Sequence, residues 1–331
     1  MGPDPAVAAV RLGVRCTLVG LERGTRVLAA CSGGPDSLAM TAALAFEAPK
    51  LGLRAGAVTV DHGLQPGSAD QADLVVAALK GLRLDPVHRL QVDVPARGDA
   101  GGYPGPEAAA RQARYAAIEA AAAECGASAI LLGHTMDDQA ETVLLGLARG
   151  SGARSLAGMP AATGPYLRPL LGIRRHQTRA ACAAQGLDPW DDPQNSDESY
   201  ARVRVRQQVL PLMEELLGPG ITEALARTAD SLRADADALD AVADEVAERV
   251  MPGCELTLDV AALAALPAAI RTRLLRRAAM AAGAPAGSLG SVHVRSMDQL
   301  VTDWHGQLWS DLPGGVRCQR RYGRLQFTTR P

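Results

Sequence analysis

Val27-Leu28-Ala29-Ala30-Cys31-Ser32-Gly33-Gly34-Pro35-Asp36-Ser37-Leu38-Ala39-Met40 decides the reading of this 331-residue chain. A short apolar run stops at a Ser-Gly-Gly-Pro-Asp-Ser turn and resumes with helix formers, which is the order of a strand, a tight loop and a helix. Gly33 and Gly34 have no Cβ, so the loop can curl with successive N–H groups turned inward. The helix that follows adds unpaired N–H groups and its positive dipole end. That geometry suits a polyphosphate. Ser32 and Ser37 offer hydroxyls, whereas Asp36 would repel a bare phosphate and makes chemical sense on a Mg2+ that bridges to it. No Lys follows the glycines, so this is not the G-x-x-x-x-G-K-[ST] phosphate loop.

Working outward, strand-like runs recur at 27–31, 55–60, 87–92 and 129–132, each followed by an Ala/Leu-rich segment. Strands alternating with helices at this spacing predict a parallel sheet covered on both faces, with ligands at the carboxyl ends of its strands. The residues just after each strand are therefore the informative ones. After the second run, Asp61-His62-Gly63 offers a backbone that a ligand can approach at Gly63 and an imidazole for a ribose or base; Ser68 reads as the N-cap of a helix starting near Ala69. The third run is followed by a glycine-rich loop at 97–106 and then by Glu107, Arg111, Arg114 and Tyr115, with Arg111 and Arg114 on one helix face. The fourth ends in Gly133-His134-Thr135-Met136-Asp137-Asp138-Gln139-Ala140-Glu141. Acids at a helix start satisfy the dipole, but Asp137 and Glu141 also share a face beside the Gly-His turn, where they can hold Mg2+ or a cationic amine. Further on, Asp192-Pro193-Gln194-Asn195 is a turn. Arg202, Arg204 and Arg206 point to one side if extended and spread around a helix otherwise, so they are either contacts to RNA phosphates or helix-surface arginines.

Composition bounds the rest. With 47% hydrophobic residues the chain can bury a core and suggests two domains, and its apolar stretches are broken by charge, so no membrane span is read. The N-terminus lacks the basic start and apolar block of a secretory signal, and a cytoplasmic location is expected. Six cysteines are scattered without a C-x-x-C pair, against both disulfides and zinc. The net charge of −2 hides an asymmetry. Residues 221–270 carry ten acids against three arginines, a net of −7, and residues 271–331 carry ten arginines against three acids, a net of +7.

Ser32-Gly33-Gly34-Pro35-Asp36-Ser37 resembles the PP-loop of the N-type ATP pyrophosphatases, which split ATP between its α and β phosphates. With Val60-Asp61-His62-Gly63-Leu64, Glu107-x-x-x-Arg111-x-x-Arg114-Tyr115, Gly133-His134-x-x-Asp137-Asp138-Gln139-Ala140-Glu141-Thr142 and Asp192-Pro193-x-Asn195, the chain over roughly 25–215 resembles the tRNA(Ile)-lysidine synthetase family. The resemblance implies an α/β fold: a Rossmann-like parallel-sheet PP-loop ATP pyrophosphatase domain, 1–217, then a long helical spacer and a small C-terminal substrate-binding domain within 218–331. It implies an ATP-dependent ligase that joins free L-lysine to the wobble cytidine of tRNA(Ile) bearing a CAU anticodon, through an adenylated cytidine. ATP and Mg2+ are the implied cofactors. Ser32, Gly33, Gly34, Pro35, Asp36 and Ser37 would wrap the phosphates, with His62, Gly63, Gly133 and His134 along the adenosine side. Asp36, Asp137, Glu141, Arg111 and Arg114 are expected to act in the chemistry, with Asp36 and Asp137 as metal ligands. Arg202, Arg204, Arg206, Arg317, Arg320, Arg321 and Arg324 are expected to bind RNA, with Trp304, Trp309 and Tyr322 interleaved. A homodimer is left open. Two positions depart from the family pattern: Thr135, where a second His is common, and Val203, where Asn is. The rival within the superfamily is a PP-loop tRNA thiolase, which generally needs the missing C-x-x-C.

Overall fold

The computed structural model describes residues 2–61, 67–92, 106–150, 152–192, 196–250 and 256–329, and of 106–110 the backbone only. The 97–106 loop up to residue 105, His62, Gly63, the Glu107 side chain, Pro193 and Asn195 therefore lie outside it. Helix α1 (Pro5–Leu18) starts on the Asp4 carboxylate, which accepts the Ala6 N–H. Strands and helices then alternate: β1 (Arg26–Ala30), α2 (Pro35–Glu47), β2 (Arg54–Asp61), α3 (Ser68–Gly81), β3 (Val87–Gln91), α4 (Pro106–Cys125), β4 (Ala127–Leu132) and α5 (Met136–Ala148). The four apolar runs are β1 to β4. Ser68 proves to be the first residue of α3 and not its cap. Gly67 holds the cap position at φ +82°, a left-handed conformation glycine adopts without steric cost. After α6 (Ala153–Leu156), β5 (Ala162–Thr163) and β6 (Tyr166–Leu167), helix α7 (Arg175–Ala184) returns to the sheet.

The sheet order is β3-β2-β1-β4-β6-β5, parallel except for the β5–β6 pair. The chain steps outward from β1 to β3, then crosses back through α4 to lay β4 on the other side of β1. That reversal opens a crevice at the carboxyl ends of β1 and β4. Side chains alternate faces, as a strand requires. Val27, Ala29, Ala129 and Leu131 join Val10, Val14, Leu38, Leu44 and Ala181 of α1, α2 and α7. Leu28, Ile130 and Leu132 face Ile118 and Ala122 of α4. Each fully buried Leu contributes about 1.5–3 kcal/mol. Glu47 at the end of α2 is sealed from solvent and accepts Arg15 Nε at 2.8 Å and Nη2 at 3.0 Å, with Lys50 Nζ at 3.4 Å.

Helix α8 (Ala201–Arg204), a π-helical stretch (Val205–Val209) and α9 (Leu210–Leu217) run on into α10 (Ile221–Val250), an acidic helix at the place of the expected helical spacer. Then come β7 (Thr257–Asp259), α11 (Val260–Ala264), α12 (Ala268–Ala281), α13 (Ser291–Thr302), β8 (Trp309–Asp311), β9 (Val316–Arg321) and β10 (Arg324–Thr329). These strands form an antiparallel sheet, β7-β10-β9-β8, whose inner residues Leu258, Cys318, Leu325 and Phe327 pack with Leu274, Leu275, Met297 and Leu300. The chain divides into two compact units, Met1–Leu145 with Met159–Ala226, and Gly146–Gly158 with Arg227–Pro331. They part inside α10 and not at 217/218, because buried Thr222 and the Glu223–Arg174 ion pair tie the first turn of α10 to the first unit. Part of the basic excess of 271–331 is consumed internally. Arg271 pairs with Asp298 at 2.6 Å, Arg273 with Asp240 at 2.7 Å and Arg277 with Asp244 at 2.7 Å, so acidic α10 and basic α12 answer each other. Among the described residues no helix is long and apolar enough to cross a membrane.

Candidate active site

The loop at the end of β1 needs its glycine on two counts. Gly33 has φ +87°, and a Cβ there would lie 2.5 Å from Val75 Cγ2. Its carbonyl accepts the Trp190 N–H at 3.0 Å. Ser37 Oγ accepts the Ser32 N–H at 3.2 Å and donates to the Gly34 carbonyl at 3.0 Å, so the hydroxyl that the sequence offers to phosphate also closes the loop on itself. Pro35 opens α2, where the first N–H groups have no intrahelical acceptor and face whatever anion the loop admits. At the end of neighbouring β4, a Cβ on Gly133 would sit 3.0 Å from Ser37 N and Cα; only glycine lets the end of β4 close up on the first turn of α2. Ser32, Gly34, Pro35, Asp36, Ser37 and Gly133, with His134, Arg114 and Tyr115, line a cavity of about 700 Å³, the size of a nucleotide site. Burial pushes the His134 imidazole down to about 4, so it is neutral near pH 7, and its buried Nδ1 has no hydrogen-bond partner among the described residues. An orphaned ring nitrogen beside the cavity suits a hydrogen bond to a bound nucleoside.

Beyond the loop, four carboxylates meet four guanidinium groups. Arg175, at the start of α7, reaches three acids: Asp36 at 3.3 Å, Asp138 at 2.7 Å and Glu141 at 3.2 Å. Its backbone N–H donates to Asp137 Oδ2 at 2.8 Å, so the fourth acid is held by the same residue. Arg206 forks onto Glu141, Nε to Oε1 at 2.8 Å and Nη2 to Oε2 at 3.1 Å, and Arg202 Nε stands 3.7 Å from the same carboxylate. Arg174 bridges Asp137, at 3.4 Å, and Glu223. Glu141 is fully buried, a placement a carboxylate tolerates only when paired. Burial raises the Asp36 carboxyl above its ordinary range even against the Thr178 hydroxyl and Arg175 that oppose the rise. Asp138 is more buried, yet Arg175 and the Thr135 N–H overcome that penalty and hold it below the usual range.

The sequence matches a PP-loop domain over residues 15–213 and a TilS substrate binding domain over 258–326. It is 60% identical over 324 residues to the tRNA(Ile)-lysidine synthase of Thermobifida fusca, covering 98% of both chains. The chain belongs to the tRNA(Ile)-lysidine synthase family. The synthase of Streptomyces coelicolor is 52% identical, over 98% of this chain and 99% of that one. The U34-tRNA thiolase NcsA from Methanococcus maripaludis, solved with its [4Fe-4S] cluster, aligns with a TM-score of 0.58 at 18% identity over 69% of this chain and 79% of its own, a likeness of fold alone.

Within this lysidine synthase fold, Ser32 to Ser37, Gly133 and His134 come together around the cavity, and Asp36, Asp137 and Glu141 meet beside it. Arg114 lines the cavity, whereas Arg111 is exposed and donates to the Tyr115 hydroxyl at 3.1 Å. Arg202, Arg204 and Arg206 lie on helix, so Arg204 parts from the other two. Arg204 donates to the Glu198 and Ser199 carbonyls at 2.5 and 2.8 Å, while Arg202 and Arg206 turn to Glu141. Sequence reasoning missed Arg174, Arg175 and Thr178. A usable sign was present: two arginines opening a helix oppose its dipole unless acids lie close by. The departures are absorbed locally. Thr135 donates its N–H and hydroxyl to Asp138 Oδ2, both at 2.8 Å, and Val203 is a buried apolar contact.

Proposed function

We propose that this chain makes lysidine at the wobble cytidine of tRNA(Ile) carrying a CAU anticodon, consuming ATP and free L-lysine and releasing AMP and pyrophosphate. The observation that carries the reading is 60% identity to a lysidine synthase over 98% of both chains. In the first half-reaction the cytidine 2-carbonyl oxygen attacks the α-phosphorus of ATP, and the bond to pyrophosphate breaks. In the second, the lysine ε-amine attacks C2 and the oxygen departs with AMP. A carbonyl oxygen is a poor leaving group until it is an adenylate, which is why the first step is needed.

The Ser32–Ser37 hydroxyl pair, the loop amides and the start of α2 receive the polyphosphate, and neutral His134 and Gly133 border the adenosine. Among the described residues no three His, Cys, Asp or Glu side chains are grouped as a metal cage. Mg2+ arriving on a triphosphate needs only one or two carboxylates, and Asp36, next to the loop, fits that requirement. The ion would supply charge neutralisation at the phosphates. Asp137 is assigned to the substrate lysine ammonium, and Glu141, with both oxygens occupied, to anchoring Arg206 and Arg175 beside the reacting phosphate. Arg114 borders the cavity for the RNA or α-phosphate side, with Arg111 braced on Tyr115 behind it. The basic second unit binds tRNA, and the reaction is assigned to the cytoplasm.

Pyrophosphate release by the purified protein tests this. With tRNA(Ile) carrying CAU, pyrophosphate and AMP form and labelled lysine enters the RNA. Pyrophosphate without lysine incorporation would move the chain to a thiolase or another adenylating synthetase. Light scattering on the same sample decides the homodimer.

A further inference from the structure

The hairpin joining β9 to β10 turns through Arg321-Tyr322-Gly323-Arg324, and its two central residues both have positive φ, +48° for Tyr322 and +73° for Gly323. Such turns favour Asn-Gly or Gly-Gly, because a large side chain in this conformation is strained. Tyr322 gains nothing from the described residues in return: its relative exposure is 101%, so none of them covers it. Arg321 and Arg324 pair directly across the strands, and like charges there repel. Neither guanidinium has a hydrogen-bond or ion-pair partner among the described residues, and the Asp259 carboxylate, across from Arg324, accepts the Ala262 N–H. Three successive choices at one turn thus weaken the fold locally, the pattern expected where a sequence serves something outside it.

The other two arginines of this sheet differ. Arg317 pairs with Asp311 at 2.9 Å and stacks 4.3 Å from the Trp309 ring, and Arg320 donates to the Leu300 carbonyl at 2.8 Å while lying 4.6 Å from the Trp304 ring. Both are engaged internally. The hairpin tip presents an uncommitted pair of guanidinium groups with an open aromatic face between them. Phosphates take the first and an unstacked base takes the second.

We propose that Tyr322 is a stacking contact for an unpaired base of the tRNA, with Arg321 and Arg324 on the phosphates flanking that base. This rests on the chain acting on tRNA, as argued above. The tip is fully exposed, so its replacement leaves the fold intact, which a thermal melt of each full-length variant verifies. In filter binding at fixed salt, Tyr322→Ala and Tyr322→Gly each raise the Kd for tRNA(Ile) about tenfold, while Tyr322→Trp stays within about twofold of the parent by the same stacking argument. Tyr322→Gly relieves the backbone strain, so a loss there belongs to the ring and not to the shape of the turn. Arg321→Ala with Arg324→Ala lowers the slope of log Kd against log salt by about 1–2; ATP binding is unchanged in every variant. If the parent makes lysidine and the two ring-less variants bind tRNA as the parent does, the stacking contact is wrong and the activity stands. If the parent binds tRNA without forming lysidine but the ring-less variants lose binding, the contact holds and the activity assignment falls. A parent that binds no tRNA overturns both.

Discussion

Asp36 is where the nucleotide loop and the acid cluster meet, since its oxygens are taken by Thr178 and Arg175 while its backbone opens α2. Asp36→Asn keeps the shape and removes the charge, so pyrophosphate release with tRNA(Ile) falls by about 100-fold or more; full retention would remove the metal role. Gly133→Ala puts a methyl 3.0 Å from the Ser37 backbone, which has no flexible end to yield. Denaturant unfolding should show a loss of about 1–3 kcal/mol and ATP affinity should drop with it. Glu47 offers a pH test away from the chemistry. The Arg15 hydrogen bonds hold its carboxyl below the usual range, so its contribution is present above the unfolded value and fades as pH falls through the folded one. Glu47→Gln therefore loses about 1–3 kcal/mol at pH 7, and the gap to the parent narrows as melts are repeated toward pH 3. The Ser-Gly-Gly-Pro-Asp-Ser loop, the Gly-His turn and the acids stood out in the sequence because each forms a short pattern just after an apolar run, although the contacts that require Gly33 and Gly133, to Val75 and Ser37, are distant in the chain. Arg175 was not, because its three side-chain partners lie 34, 37 and 139 residues away.

Helices α5, α7 and the α8–π segment act together as a frame for charge. Glu141 sits on α5, Arg175 at the start of α7, and Arg206 within the π-helical turn, so the cluster forms only when all three are in register. Breaking one side of a buried pair leaves an uncompensated charge, and replacing both sides costs less. A double-mutant cycle on Glu141→Gln and Arg206→Gln, read by urea unfolding, should give a coupling of about 1–3 kcal/mol; additive losses would mean the two residues act separately. Strand identity was legible from apolar runs, and the helix α10 from its Ala-acid pattern. The conformation of 202–206 is ambiguous from sequence, because arginines at every second position fit either a strand or a helix until tertiary contact with Glu141 selects one.

Among the described residues the two faces of the parallel sheet each bury an apolar cluster, and the antiparallel sheet of the second unit buries another of its own. Phe327→Ala removes a buried ring from the last of these and costs about 3–5 kcal/mol there. Fluorescence should report it through Trp304 and Trp309, both in that unit, while the Kd for ATP stays within about twofold; a lost ATP site would mean the cores unfold as one. The boundary at 217/218 implied by the family resemblance differs from the division into compact units, which falls after Ala226 and returns Gly146–Gly158 to the second unit, because a sequence does not reveal that the first turn of α10 is held by Arg174. Because β1 pairs with β4 across roughly a hundred residues of sequence, the order of synthesis also matters. Glu141 leaves the ribosome 65 residues before Arg206, an interval of about 3–13 s at ordinary elongation rates. During that interval β5 and β6 complete the sheet while the acids still lack their last counter-cation. A ribosome paused there would hold a nascent chain whose scaffold is finished and whose pocket is still pushing itself apart.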